Sequence, residues 1–122
     1  MNWAIDLDGV ITANPQALSW LTYHLHKNEN DNKIFIITWR DGANEKRKKE
    51  TIEDLKRFNI SYDELIMAPR KFPTMRIAGY WKIAQMAKLK IDIWLDDEIK
   101  SYKRDYGFDL NKLLPDVNKI WI

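Results

Sequence analysis

The chain has 122 residues and a formal net charge of +2, with 45% apolar and 31% charged residues. That is a globular profile, sized for one domain over residues 1–122 with its own core, and too weakly basic to argue for nucleic acid by charge alone. Cysteine is absent, which excludes disulfides, thiolate metal sites and cysteine nucleophiles, and no stretch is apolar enough to span a membrane. The amino terminus carries Asp6 and Asp8 where a signal peptide would be apolar, so a cytoplasmic location is expected.

Trp3, Ala4, Ile5 and Leu7 form a near-continuous apolar run, the pattern of a strand buried on both faces of a parallel sheet. Asp6, Asp8 and Gly9 stand at its end, and strand alternation would aim both carboxylates to one side if the strand persists that far. Asn14-Pro15 reads as an N-cap with proline at the first helical position, opening a helix to about Lys27 with Leu18, Leu21 and Leu25 inward. Asn28–Asn32 is a polar turn and Lys33–Ile37 a second buried strand, followed at once by Thr38, Trp39 and Arg40. Ala43 to Phe58 predicts a helix with Ile52, Leu55 and Phe58 inside. Its run Lys46, Arg47, Lys48, Lys49 fits either a solvated face or a basic binding surface.

Glu64–Ala68 is a short third strand, and Thr74 caps a helix to about Leu89 that buries Ile77, Trp81, Met86 and Leu89. Ile91–Leu95 is a fourth strand ending in Asp96, Asp97 and Glu98. A short helix near Ile99–Tyr106, a helical turn near Asp109–Leu114 and a fifth strand at Val117–Trp121 complete the chain. Strands alternating with helices imply parallel strands and right-handed crossovers, hence a three-layer α/β/α sandwich on a mainly parallel five-stranded sheet.

In a parallel sheet the strand ends converge on one edge, the usual place for ligands in open α/β folds. Buried like charges repel and resist desolvation, and a bound cation relieves both costs. Carboxylates suit Mg²⁺, which commonly shares itself with substrate phosphate. The plain alternative is a strand ending in an acidic turn. An EF-hand loop fits less well, because its further ligands and closing glutamate are missing.

These residues resemble the motifs of the haloacid dehalogenase-like (HAD) phosphohydrolases. Asp6-Leu7-Asp8-Gly9-Val10 resembles motif I, Ile36-Ile37-Thr38 motif II, Lys82 motif III and Leu95-Asp96-Asp97 motif IV. Lys71, Arg76, Lys88 and Lys90 are rivals for the third position. The resemblance implies a Rossmannoid phosphatase domain that forms an aspartyl-phosphate on Asp6. It makes Asp8 the general acid and base, whose main-chain carbonyl also meets Mg²⁺. Asp6, Asp8, Asp96 and Asp97 would hold the metal, and Thr38 and Lys82 the phosphoryl oxygens. Arg40 matches an arginine found in HAD enzymes of nucleic-acid ends, including polynucleotide phosphatases, where it would clamp a substrate phosphate; a salt-bridged loop arginine is the other reading.

The links Gly9–Asn14 and Pro69–Pro73 are too short for the cap domain many of these enzymes carry. An open site suits nucleic-acid ends or phosphoproteins, and suits small substrates if a homo-oligomer closes the mouth. The expected activity is Mg²⁺-dependent hydrolysis of a phosphomonoester, with a nucleotide or nucleic-acid end as substrate. A deoxyribonucleotidase-like enzyme is the nearest rival reading, since that family also shows a DxDGV motif and a terminal Asp pair. The competing expectation is a catalytically weak HAD-like module that binds nucleic acid or a protein.

Overall fold

A computed structural model describes residues 1–28 and 31–122. One sheet contains β1 (Asn2–Ile5), β2 (Lys33–Asp41), β3 (Glu64–Ala68), β4 (Ile93–Asp96) and β5 (Asn118–Trp121), in the order β3-β2-β1-β4-β5. Every pairing is parallel. The connecting helices are α1 (Pro15–Asn28), α2 (Glu45–Arg57), α3 (Met75–Lys88), α4 (Ile99–Arg104) and α5 (Leu110–Leu113). Residues 29 and 30 of the predicted turn at 28–32 lie outside the described residues. No helix among the described residues is long and apolar enough to cross a membrane.

Strand alternation explains the layers, because successive side chains leave opposite faces of the sheet. Ala4, Phe35, Ile37 and Trp94 enter one core, with Ile83 and Met86 of α3, Tyr102 of α4 and Leu110 of α5. Ile5, Ile34, Ile36, Ile93 and Leu95 enter the other, with Leu18 of α1 and Leu55 of α2. The sheet is therefore covered on both sides, as parallel strands require. The crossovers through α1 and α2 step one way from β1, and the return through α3 lands β4 on its other side. The gap between the ends of β1 and β4 is thus the topological switch point of the sheet.

Local chemistry sets the helix starts. The Asn44 side chain accepts from the Arg47 amide, and Thr74 Oγ1 accepts from the Ile77 amide at 3.2 Å, as predicted for that cap. Several expectations need correction. β2 runs on to Asp41, pairing with β3 through a register shift between Thr38 and Asp41, so Thr38 and Arg40 are strand residues. Ile52 and Ile77 face solvent. Leu55 and Met86 are buried as expected, and Thr51 joins Leu55 on the inner face of α2, as Ala78, Lys82 and Ile83 join Met86 on that of α3. Apolar periodicity missed Thr51 and Lys82 because each is a polar residue that serves a buried cluster.

Candidate active site

The first strand stops at Ile5, short of the two aspartates. The Asp6 amide still donates to the Leu95 carbonyl at 3.0 Å, which ties the start of the turn to β4. A wide helical turn over Leu7–Ile11 follows, broken by an extended Asp8 and by Gly9 at φ +85°. The two carboxylates therefore part company instead of sharing a strand face. Asp6 is 7% exposed, whereas the Asp8 side chain is 54% exposed. Glycine is required at position 9 on two counts. Its backbone is left-handed, and a Cβ there would overlap the Asp97 carboxylate.

Lys82 reaches this point from the middle of α3. Its ammonium is fully buried and donates to Asp6 Oδ1 at 2.8 Å and Asp96 Oδ2 at 3.0 Å. Asp96 ends β4 and is also fully buried; it accepts from Trp94 Nε1 at 3.1 Å and from the Glu98 amide at 2.8 Å. Oxygens of Asp6, Asp96 and Asp97 all lie within 4.8 Å of one another. Three carboxyls thus face one ammonium, leaving surplus negative charge in a dry pocket. Desolvation pushes the Asp6 carboxyl up to about 7 against the pull of Lys82, and the charges of Asp96 and Asp97 add to the rise. Burial also raises Asp97, again with Asp96 as a repelling neighbour. Burial alone would lower the Lys82 ammonium, but Asp6 and Asp96 more than offset this and raise it.

Carboxyls this close need a proton or a cation among them. Asp97 Oδ1 is buried and has no hydrogen-bond partner among the described residues. An orphaned oxygen, a surplus of negative charge and an all-oxygen donor set together fit a hard divalent cation such as Mg²⁺. Asp6, Asp96 and Asp97 could hold it. The Asp8 carboxylate is not part of this triad, and only its main-chain carbonyl is left for such a role.

Asp8 turns instead to Arg40. The guanidinium grips it with both prongs, Nε to Oδ2 at 2.9 Å and Nη2 to Oδ1 at 2.7 Å. Nη1 then bonds Asp54 Oδ2 at 2.8 Å and Thr51 Oγ1 at 3.3 Å on α2. These hydrogen bonds hold the Asp8 carboxyl below its usual range and raise the Arg40 guanidinium. Arg40 is 9% exposed and committed to two carboxylates, so the structure places it as a brace for Asp8. Thr38 is buried on β2, and its Oγ1 accepts from the Arg40 amide at 3.2 Å. Its hydroxyl proton is left to donate at the same edge of the sheet.

With this geometry established, comparison with known proteins is informative about the fold. No family model matches the chain, and no curated protein matches it. Two solved structures contain a similar chain. One, described as the Pnkp1/Rnl/Hen1 complex, aligns at a TM-score of 0.67 and 16% identity, over 99% of this chain and 45% of that one. The other, described as the Pnkp1/Rnl/Hen1 RNA repair complex, gives 0.66 and 15%, over 99% and 42%. The present chain spans less than half the length of those it resembles. At such identity the likeness establishes a shared α/β fold.

Sequence reasoning missed three supporting residues. Trp94 fixes Asp96 from two positions upstream, on the same side of β4. Thr51 and Asp54 anchor Arg40, and their spacing of three on one helix face was the available signal. Trp39, noted as lying beside a motif, sits with its ring centroid 4.6 Å from Lys82 Nζ.

Proposed function

We propose that this chain folds as a HAD-like phosphatase domain without a cap that hydrolyses a phosphomonoester with Mg²⁺, through a phosphoryl group carried on Asp6. The observation that supports this best is the meeting of Asp6, Asp96 and Asp97 around Lys82 at the switch point of the sheet. Bound Mg²⁺ would neutralise the repulsion between carboxylate and phosphate and stabilise charge during transfer. Asp6 Oδ attacks phosphorus as the P–O bond to the leaving alcohol breaks. Lys82 and the Thr38 hydroxyl hold the phosphoryl oxygens through charge-assisted hydrogen bonds. Asp8 delivers a proton to the departing oxygen, then takes one from the water that cleaves the aspartyl-phosphate. Arg40 positions Asp8 from behind. The names of the similar structures, with their RNA repair complex, support a nucleotide or nucleic-acid terminal phosphate as substrate.

A second reading is favoured by one observation. The two-pronged Arg40 contact opposes protonation of Asp8, which a general acid needs. A HAD-like binding or regulatory module with little turnover would tolerate that arrangement. Phosphate release from a broad phosphomonoester panel with and without Mg²⁺ tests both. Turnover that requires Mg²⁺ and disappears in Asp6→Asn supports the phosphatase; inertness across the panel supports the module.

A further inference from the structure

Beside the acidic cluster lies a groove of about 300 Å³, walled by Trp39, Phe72 and Ala78 and edged by Arg47, Lys71 and Asp41. The volume is at the lower end for small-molecule sites. Its aromatic walls are held in place. Trp39 Nε1 donates to the Ala78 carbonyl at 2.9 Å, and Phe72 packs on Trp81 with ring centroids 5.7 Å apart. Trp39 also lies over Lys82 Nζ, and that ammonium is 2.8 Å from Asp6 Oδ1. One indole ring therefore separates the groove from the carboxylate that would receive phosphate. Within the basic run of α2, Arg47 is the residue that turns to the groove; its guanidinium is half-exposed and, among the described residues, has only the weak 3.3 Å contact with Glu50. Lys71 is exposed on the facing segment before α3.

We propose that this groove binds the terminal nucleoside of a nucleic-acid strand whose end phosphate enters the Asp6 site. The base stacks against Trp39 and Phe72, and Arg47 and Lys71 hold the next phosphodiester. Flat aromatic walls suit any base, because every base has a π-face, and two cations at the rim complement a backbone phosphate. Asp41 is the exception in charge; its carboxylate accepts from the Ala43 amide and faces hydrogen-bond donors of the nucleoside rather than phosphate. A small phosphorylated metabolite would leave the aromatic walls and the outer cations unused. The substrate class is thus a phosphorylated strand end, and this rests on the phosphatase reading of the Asp6 site.

The test measures binding, so that it is separate from turnover. In an Asp6→Asn background, fluorescence anisotropy with a labelled, terminally phosphorylated oligonucleotide is compared with competition by glycerol phosphate and by a phosphotyrosine peptide. The oligonucleotide should bind at least about tenfold more tightly than either. Lys71→Ala should weaken it several-fold and reduce the slope of log affinity against log salt by about one. Phe72→Ala should weaken it about tenfold, with Phe72→Leu as the variant to use should the alanine form fail to fold. Lys103→Ala, remote on α4, should leave it unchanged. Equal affinity for all three ligands, tighter binding of the peptide, or wild-type affinity in both groove variants overturns the proposal. Absence of phosphate release by the wild-type protein on every substrate, with oligonucleotide binding intact, would overturn the phosphatase reading and leave the groove standing.

Discussion

Asp6 and Asp8 are separated by one residue, and the fold gives them opposite surroundings. Asp6 is buried with two further carboxyls and a single ammonium, and its own carboxyl is pushed up to about 7. Asp8 is half-exposed in the grip of an arginine and is held below its usual range. The break that separates them is local, an extended Asp8 followed by a left-handed Gly9. Chemically equivalent side chains thus acquire different properties from their environment, as in enzymes that use paired carboxyls. A buried acid awaiting a counter-charge suits a nucleophile beside a cation. A braced, wet acid suits proton traffic.

The largest effect should come from Asp6→Asn. Phosphate release is expected to fall by at least ~10³-fold. The thermal midpoint should hold or rise, since one of three repelling carboxyls is gone. Near-wild-type turnover in this variant would falsify the covalent role. Lys82→Met should cost about 3–5 kcal/mol in urea unfolding, because it strips a buried cluster of its counter-charge. Added Mg²⁺ should recover part of that loss, and no recovery would argue against a cation among Asp6, Asp96 and Asp97.

Arg40→Lys keeps the charge but loses the fork. The expected result is roughly a tenfold drop in kcat/KM, together with a displaced pH profile. The sign follows from the pairing: Arg40 keeps Asp8 ionised to lower pH, so weakening the contact raises its pKa, and because Asp8 acts as an acid in the first step the alkaline limb moves upward. A drop in rate with an unmoved limb would confine Arg40 to packing. The smallest effect belongs to Asp63, remote from the site. Burial would raise its carboxyl, but the Ile34 amide and His26 outweigh that and lower it. Its contribution to stability is present above the ordinary carboxylate range and is lost as pH falls through the depressed value. Because the side chain is 37% exposed, Asp63→Asn should cost less than ~1 kcal/mol at neutral pH and nothing in strong acid.

Much of this architecture is written in short, near-continuous apolar runs that end in polar residues. The five strands, the Thr74 cap and the acids at the ends of β1 and β4 all follow from such local signals. Lys82 sits inside the fold because charge at the strand ends calls for it, and no helical periodicity of α3 announces that. Likewise the orientation of Asp8 depends on Arg40, thirty-two residues away, and on Asp54 beyond it. Long-range ion pairs leave no local trace in sequence.

The hydrogen bond from the Asp6 amide to the Leu95 carbonyl has one further consequence. It makes the backbone of Asp6 part of the seam between β1 and β4. That seam is shielded on both sides by packed helices, so its amides should be among the last to exchange with solvent. Heating or denaturant should then abolish turnover and structure together, with no earlier stage at which a folded protein has already lost its chemistry.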